Sequence, residues 1–410
     1  MIHVCFGVYD KDGRYSKFTG TTITSIFENT SSEVTVHILH DNTMTLANYE
    51  KFVYLAGKYG QQIKFYNVEK ICGDEIRDVS NKFSSHPDFA KFTIGTWYRL
   101  FITTILPSEL NKVIYLDSDI IVNRDIKELW QIDIADKPLA AVPESKILVW
   151  HDKDIHNHYL MVENLVDKDR YFNAGVLSIN LKQFRRESTT LERGLKFVAE
   201  HPQCKWFDQD IFNYCFASDY IILEKDFNSF VDNERVFDKS STIKNSIFHY
   251  TGASIHPDMH ERFNRLWFKY FEKTPWFSAE SIGHIYEGVR QIQHELQSRT
   301  IWMSKVMAGR QRAFFVPPNN LELIKNVFGA DDNDEIILAI GMESLQQLID
   351  SMKKSKGAKL YFILTAQFPG VQATLTREGF QDGRDFVNGL IFLSEVHGVP
   401  MNSYPLIKAL

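Results

Sequence analysis

Apolar positions in the first 120 residues fall into short runs separated by helical stretches, which predicts strands at 4–9, 34–39, 63–67 and 113–116. The helical stretches run through 20–29 and near 46–59. This βαβ rhythm argues for a doubly wound α/β domain, whose ligands bind beyond the carboxyl ends of the strands near a switch in strand order. Further strand signals follow at 139–142, 175–179 and 246–250, with polar, aromatic-rich loops at 150–169 and 228–245. Long loops of that kind often carry function. Beyond Pro275 the pattern changes: Ile282, Ile285, Tyr286, Val289, Ile292 and Leu296 are spaced by charge and amide, the mark of one or two amphipathic helices. A second alternation starts at Arg312, with strands at 313–316, 336–340 and 360–364 and helices at 321–327, 342–352 and 372–378. The chain therefore divides into a domain over 1–277, a helical connector over 278–311 and a small α/β domain over 312–410. The last contains no GxGxxG or phosphate-binding loop, and the sequence assigns it no activity.

Composition narrows the class. With 44% hydrophobic and 13% aromatic residues among 410, including 31 Phe and 17 Tyr, the chain can fill several packed layers and is globular. Its net charge of −6 supplies no global basic field toward nucleic acid or an anionic membrane. The start, Met1-Ile-His-Val-Cys, enters a strand directly without a charged leader, and no uncharged apolar run reaches about 18 residues. The expectation is a cytoplasmic protein, with peripheral contact to the inner membrane face and homo-oligomer formation left open. Cys5, Cys72, Cys204 and Cys215 form no CxxC pair, so they read as buried free thiols. A zinc reading of His151, His156 and His158 is rejected because their spacing lacks a ligand frame.

Chemistry enters at Lys112-Val-Ile-Tyr-Leu-Asp117-Ser118-Asp119-Ile-Ile-Val122, where two carboxylates spaced i, i+2 interrupt an apolar run. Acids so close repel and lose hydration, so they pair with bases, shift their pKa or hold a cation. Mg2+ and Mn2+ favour carboxylate oxygens and keep positions open for phosphate, which makes Asp-x-Asp at a strand end a candidate metal-diphosphate site. Alone, the motif also fits two acids capping a turn.

Three later blocks add specificity: Tyr171-Phe-Asn173-Ala174-Gly175, Phe207-Asp208-Gln209-Asp210 and His249-Tyr250-Thr251-Gly252. In order and spacing the four blocks resemble the family 8 glycosyltransferases, which include bacterial lipopolysaccharide galactosyltransferases and glycogenin. The resemblance covers residues 1–277. It implies a Rossmann-like nucleotide-sugar domain of the GT-A type and a retaining transfer of a hexose from UDP-glucose or UDP-galactose to a glycan, lipid-linked or protein-linked acceptor. It also implies Mn2+ or Mg2+ on Asp117, Asp119 and His249. Nucleotide contacts would come from Val8, Tyr9, Asp10, Tyr15, Arg99 and Ser118, with Tyr15 stacking on the base. Asn173, Ala174, Gly175 and Asp208 would bind the donor sugar, and Gln209 would lie beneath the anomeric carbon with Asp208 as its catalytic partner. Small residues at 174 and 175 suit close approach of backbone to a sugar. Gly252 would meet the diphosphate. Where the family usually has a phosphate-binding lysine after this block, the chain has Ala253-Ser254-Ile255-His256, and His256 is the candidate substitute.

Two rivals remain. A haloacid-dehalogenase-like phosphatase also uses Asp-x-Asp, but Ile120-Ile121 does not fit its motif. A sugar-nucleotide-binding protein with decayed catalysis is motivated by the missing lysine.

Overall fold

The computed structural model describes residues 1–84, 93–144, 159–237, 242–251, 261–280, 305–365 and 367–390, together with 282, 283 and 287. It consists of two compact units, residues 1–283 and 284–410.

Ten strands belong to the first unit: β1 (Ile2–Val8), β2 (Val34–His40), β3 (Gln62–Asn67), β4 (Lys112–Leu116), β5 (Ile120–Val122), β6 (Leu139–Ala141), β7 (Val176–Asn180), β8 (Ile221–Ile222), β9 (Ser229–Phe230) and β10 (Ile247–His249). Among the described residues, seven of them form the main sheet in the order β3-β2-β1-β4-β7-β6-β8. The pairs β3-β2, β2-β1 and β1-β4 are parallel, which gives the expected doubly wound half. Strand β7 runs antiparallel to both β4 and β6, so the sheet is mixed. The apolar run around Asp117 is not one strand. The chain leaves the main sheet after Leu116, and β5 joins a separate small sheet ordered β5-β10-β9.

Alternation along the strands sends side chains to two cores. Val4, Phe6, Val8, Ile114 and Leu116 pack with Ile23, Ile26 and Phe27 of α1 (Arg14–Asn29) and Phe52 and Leu55 of α2 (Leu46–Tyr59). Cys5, Val113 and Tyr115 face Val68, Cys72, Ile76, Val79 and Phe83 of α3 (Val68–Phe83), and Trp97 and Tyr98 of a 3-10 helix, Ile94–Phe101. Each fully buried aliphatic or aromatic side chain contributes about 1.5–3 kcal/mol, so these two layers fix the frame on which polar groups are held. Helix α2 begins at Thr45, whose side chain accepts from the Asn48 N–H, and ends at Gly60 in the left-handed conformation.

A late segment closes the unit. Trp276 lies against α1 at Gly20, where a Cβ would come within 2.3 Å of the indole. Its Nε1 donates to Asn48 Oδ1 at 2.9 Å, and Asn48 Nδ2 donates to Asp10 Oδ2 at 2.7 Å.

The second unit holds β11 (Gln311–Val316), β12 (Glu335–Leu338), β13 (Lys359–Ile363) and β14 (Phe386–Asn388) in the parallel order β12-β11-β13-β14. Helices Gly341–Ser355 and Phe368–Arg377 supply one core layer, with Leu348, Met352 and Leu375, and helix Leu321–Phe328 supplies Ile324 to the other. Among the described residues, no helix is long and apolar enough to cross a membrane.

Candidate active site

Asp117, Ser118 and Asp119 form the turn that leaves the main sheet, and α1 holds that turn by a polar stripe. Thr22 Oγ1 lies 2.8 and 2.6 Å from the carbonyl oxygens of Ser118 and Ile120, a shared donor, and Thr19 Oγ1 is 2.8 Å from Ser118 Oγ. The Val122 N–H donates to Ser25 Oγ at 2.9 Å. All three hydroxyl residues are fully buried. A buried peptide group left without a partner costs about 1–3 kcal/mol, so these hydroxyls make the departure from the sheet affordable.

Strand register then brings in the other residues. Leu116 lies opposite Val176, and the Asp117 N–H donates to the Gly175 carbonyl at 2.9 Å, which sets Asn173-Ala174-Gly175 beside Asp117. In the small sheet His249 pairs with Ile120, and the Tyr250 N–H donates to the Asp119 carbonyl at 2.8 Å. His249 Nε2 is 3.3 Å from Asp119 Oδ1 and 4.0 Å from Asp117 Oδ2. One ligand atom from each of the three lies within 4.8 Å of the others. A Cβ at Gly175 would sit 2.3 Å from His249 Cε1, so the imidazole occupies the space a side chain would need. Burial lowers the His249 pKa, but Asp119 and then Asp117 outweigh it and hold it above the ordinary 6.5. Two hard carboxylates and one imidazole nitrogen form a donor set that fits Mn2+ or Mg2+.

Arg99 reaches this cluster from the 3-10 helix. Its side chain is mostly buried, with Nη2 at 2.6 Å from Asp117 Oδ1, Nε at 2.9 Å from Asp208 Oδ2, and Nη1 donating to the Ala174 carbonyl at 2.9 Å. Tyr115 lies under the guanidinium at 4.5 Å. Burial alone would lower its pKa; Asp117 and Asp208 reverse that and raise it. Burial lifts the Asp208 carboxyl to about 6, against the pull of Arg99 and with a push from Asp117.

Asp208 and Gln209 open the helix Phe207–Phe216. Phe207, wholly buried, has a φ of 34°, a strained left-handed conformation for a bulky side chain. It packs on Phe83 and Trp97, and the strain is borne where the next two side chains turn toward the site. Gln209 Oε1 accepts from Asn173 Nδ2 and the Ala174 N–H, both at 3.0 Å. Gln209 Nε2 donates to Glu144 Oε1 at 2.9 Å and to Tyr171 Oη at 3.2 Å.

A cavity of about 620 Å³ opens beside the acids, within the usual range for small-ligand sites. Its lining includes Tyr9, Tyr15, Thr93, Gly95, Thr96, Arg99, Asp117, Ser118, Asp119 and Tyr250. A Cβ at Gly95 would lie 2.8 Å from Tyr9 Cβ, so glycine lets the two segments close the wall. Val8 points into the core and Asp10 points inward. The Asp10 carboxylate accepts from the Ser16 N–H at 3.1 Å, from Ser16 Oγ and from Asn48, and so fixes the turn into α1. Neither lines the cavity. Gly252, His256 and the His151, His156 and His158 group lie outside the described residues.

Sequence reasoning passed over Glu144 and Asn228. Glu144 follows the end of β6, a position where an acid is a signal. Asn228 stands in a loop without periodicity and offers none.

A family model for glycosyl transferase family 8 matches residues 7–255, more than half of the chain. The chain belongs to glycosyl transferase family 8. Similar curated proteins include general stress protein A of Bacillus subtilis, 27% identical over 49% of this chain and 65% of that protein. The lipopolysaccharide 1,3-galactosyltransferase of Salmonella typhimurium is 26% identical over 54% and 62%, and a lipopolysaccharide 1,2-glucosyltransferase of Escherichia coli 25% over 65% and 77%. The match thus spans just under two thirds of the first two of these relatives. In fold, the family 8 chain resembles the galactosyltransferase LgtC solved with donor and acceptor sugar analogues, with a TM-score of 0.54 and 21% identity over 69% of this chain and 99% of LgtC. That likeness establishes a GT-A type glycosyltransferase fold.

Proposed function

We propose that this family 8 chain is a metal-dependent, retaining glycosyltransferase that moves glucose or galactose from a UDP-sugar to a hydroxyl of a glycan or glycoconjugate. The observation that carries the reading is the convergence of His249 on Asp117 and Asp119, two acids that line the cavity, with Asp117 joined through Arg99 to Asp208, the neighbour of Gln209. Mn2+ or Mg2+ held by the first three would supply charge neutralisation for the departing diphosphate. Tyr15, half exposed at the cavity, is suited to stack on a base, and Ser118 offers a hydroxyl beside it. Arg99 pairs with Asp117 and Asp208 and so keeps a partly exposed and a buried carboxylate in place at close range. Asp208 is suited to bind donor hydroxyls. The Gln209 amide oxygen, fixed by two donors and backed by Glu144, stabilises positive charge at the anomeric carbon. An amide is a poor nucleophile, which favours attack by the acceptor on the face the diphosphate leaves, with a leaving phosphate oxygen taking the acceptor proton. Lipopolysaccharide transferases among the relatives support a hexose donor and a glycan acceptor.

The test is UDP release from a panel of UDP-sugars with Mn2+, with and without EDTA. Metal-dependent release from one hexose donor is expected. UDP binding without release from any donor would overturn the enzymatic reading in favour of a sugar-nucleotide-binding protein.

A further inference from the structure

We infer that Asn228 is a positioning residue that fixes which nitrogen of His249 faces the two acids and couples that nitrogen to the Gln209 amide. This inference rests on the metal-site reading above. It follows from a chain of hydrogen bonds whose direction is dictated by backbone.

The Gly175 N–H can only donate, and its partner at 2.9 Å is Asn173 Oδ1. That assignment turns Asn173 Nδ2 toward Gln209 Oε1, which the Ala174 N–H independently requires to be an acceptor. On its other side Asn173 Oδ1 meets Asn228 at 2.8 Å, and because it accepts, the Asn228 atom there must be Nδ2. Asn228 Oδ1 is left facing His249 Nδ1 at 3.1 Å. An acceptor at that point demands a proton on Nδ1. With a cation at Nε2 the imidazole therefore carries its lone pair there, on the nitrogen 3.3 Å from Asp119; without the cation that carboxylate competes for a proton on Nε2. Asn228 is 0% exposed, which shields both contacts from competing water. A ligating histidine is normally held by a hydrogen bond on its other nitrogen, and loss of that bond weakens metal binding. Here the same amide also holds the residue that orients Gln209, so the metal side and the sugar side share one support.

The test uses the full chain. In protein labelled with 15N-histidine and saturated with diamagnetic Mg2+, the His249 resonance identified by its loss in His249→Gln should show a proton on Nδ1 and none on Nε2. The Nε2–H tautomer would overturn the inference, and this measurement requires no change at Asn228. Mn2+ titration supplies the second arm: Asn228→Leu, which removes both contacts, should bind about 10- to 100-fold more weakly, and Asn228→Asp, which still accepts from Nδ1, within about threefold of wild type. Wild-type affinity in Asn228→Leu would equally overturn it. Absence of Mn2+ binding to the wild type would instead refute the metal site on which the inference rests.

Discussion

The two units of this chain arrange their strands in the same way but use the result differently. In each, a first strand has its successor on one side and a later strand on the other: β2 and β4 flank β1, and β12 and β13 flank β11. Both therefore possess a switch in strand order, the place where α/β sheets open a crevice. Only the first unit fills that place with buried polar groups. Ser118, Asn173, Asp208, Asn228 and His249 are buried there, whereas among the described residues of 284–410 Ser344 bonds at a helix start and the buried Asp334 carboxylate, just before β12, pairs with Arg312. A shared topology thus supplies a crevice, and the chemistry comes from side chains whose burial is offset by a connected network.

The largest expected effect breaks the first unit at its acids. Asp119→Asn should reduce donor turnover about a thousandfold, the several kcal/mol a Lewis acid contributes, without changing the melting temperature. Near-normal turnover would remove Asp119 from the site. Next comes Gly175→Ala, whose methyl displaces His249: Mn2+ affinity should fall about 10- to 100-fold and stability by about 1–3 kcal/mol, read by calorimetry. An alanine variant binding Mn2+ as tightly as wild type would show that the imidazole is not needed there.

A pH series gives a smaller, graded effect. The acids hold the His249 proton above the ordinary 6.5, and a cation must displace it. Apparent Mn2+ affinity should therefore fall on acidification, by roughly tenfold per pH unit once below the raised value, and level off above it. A flat profile from pH 5 to 8, as a Mn2+ titration range, would contradict His249 ligation. The smallest effect tests the other switch point: Gln367→Ala, beyond the carboxyl end of β13, should leave UDP release within about twofold of wild type. A larger loss would mean that the second unit's crevice takes part in the reaction.

Much of the frame was legible because β1 to β4 are short apolar runs bounded by polar turns. The reversal of β7 was not, since a strand's pattern records which face is buried and not which neighbour it pairs with or in what direction. Helix α3 went unread although Val68, Cys72, Ile76, Val79 and Phe83 recur at helical spacing, so that signal was available. In the site, the ordered motifs led to Asp117, Asp119 and His249. Asp10 was harder: its partner Asn48 lies on another helix, and a local motif cannot tell a buried cap from a ligand contact. Gly175 was read through a sugar, whereas the nearest demand for its small size is an imidazole from a strand more than 70 residues later.

Trp276 carries a consequence for the order in which the molecule is made. Its bond to Asn48 spans 228 residues, and Asn48 holds the Asp10 turn that leads to Tyr15 at the cavity. During synthesis, β1, α1 and α2 emerge early, but this clasp cannot close until nearly all of the first unit has left the ribosome. The Tyr15 side of the cavity is therefore begun by the first strand and completed among the last events of that unit's folding, after the slow closure of a loop of 228 residues.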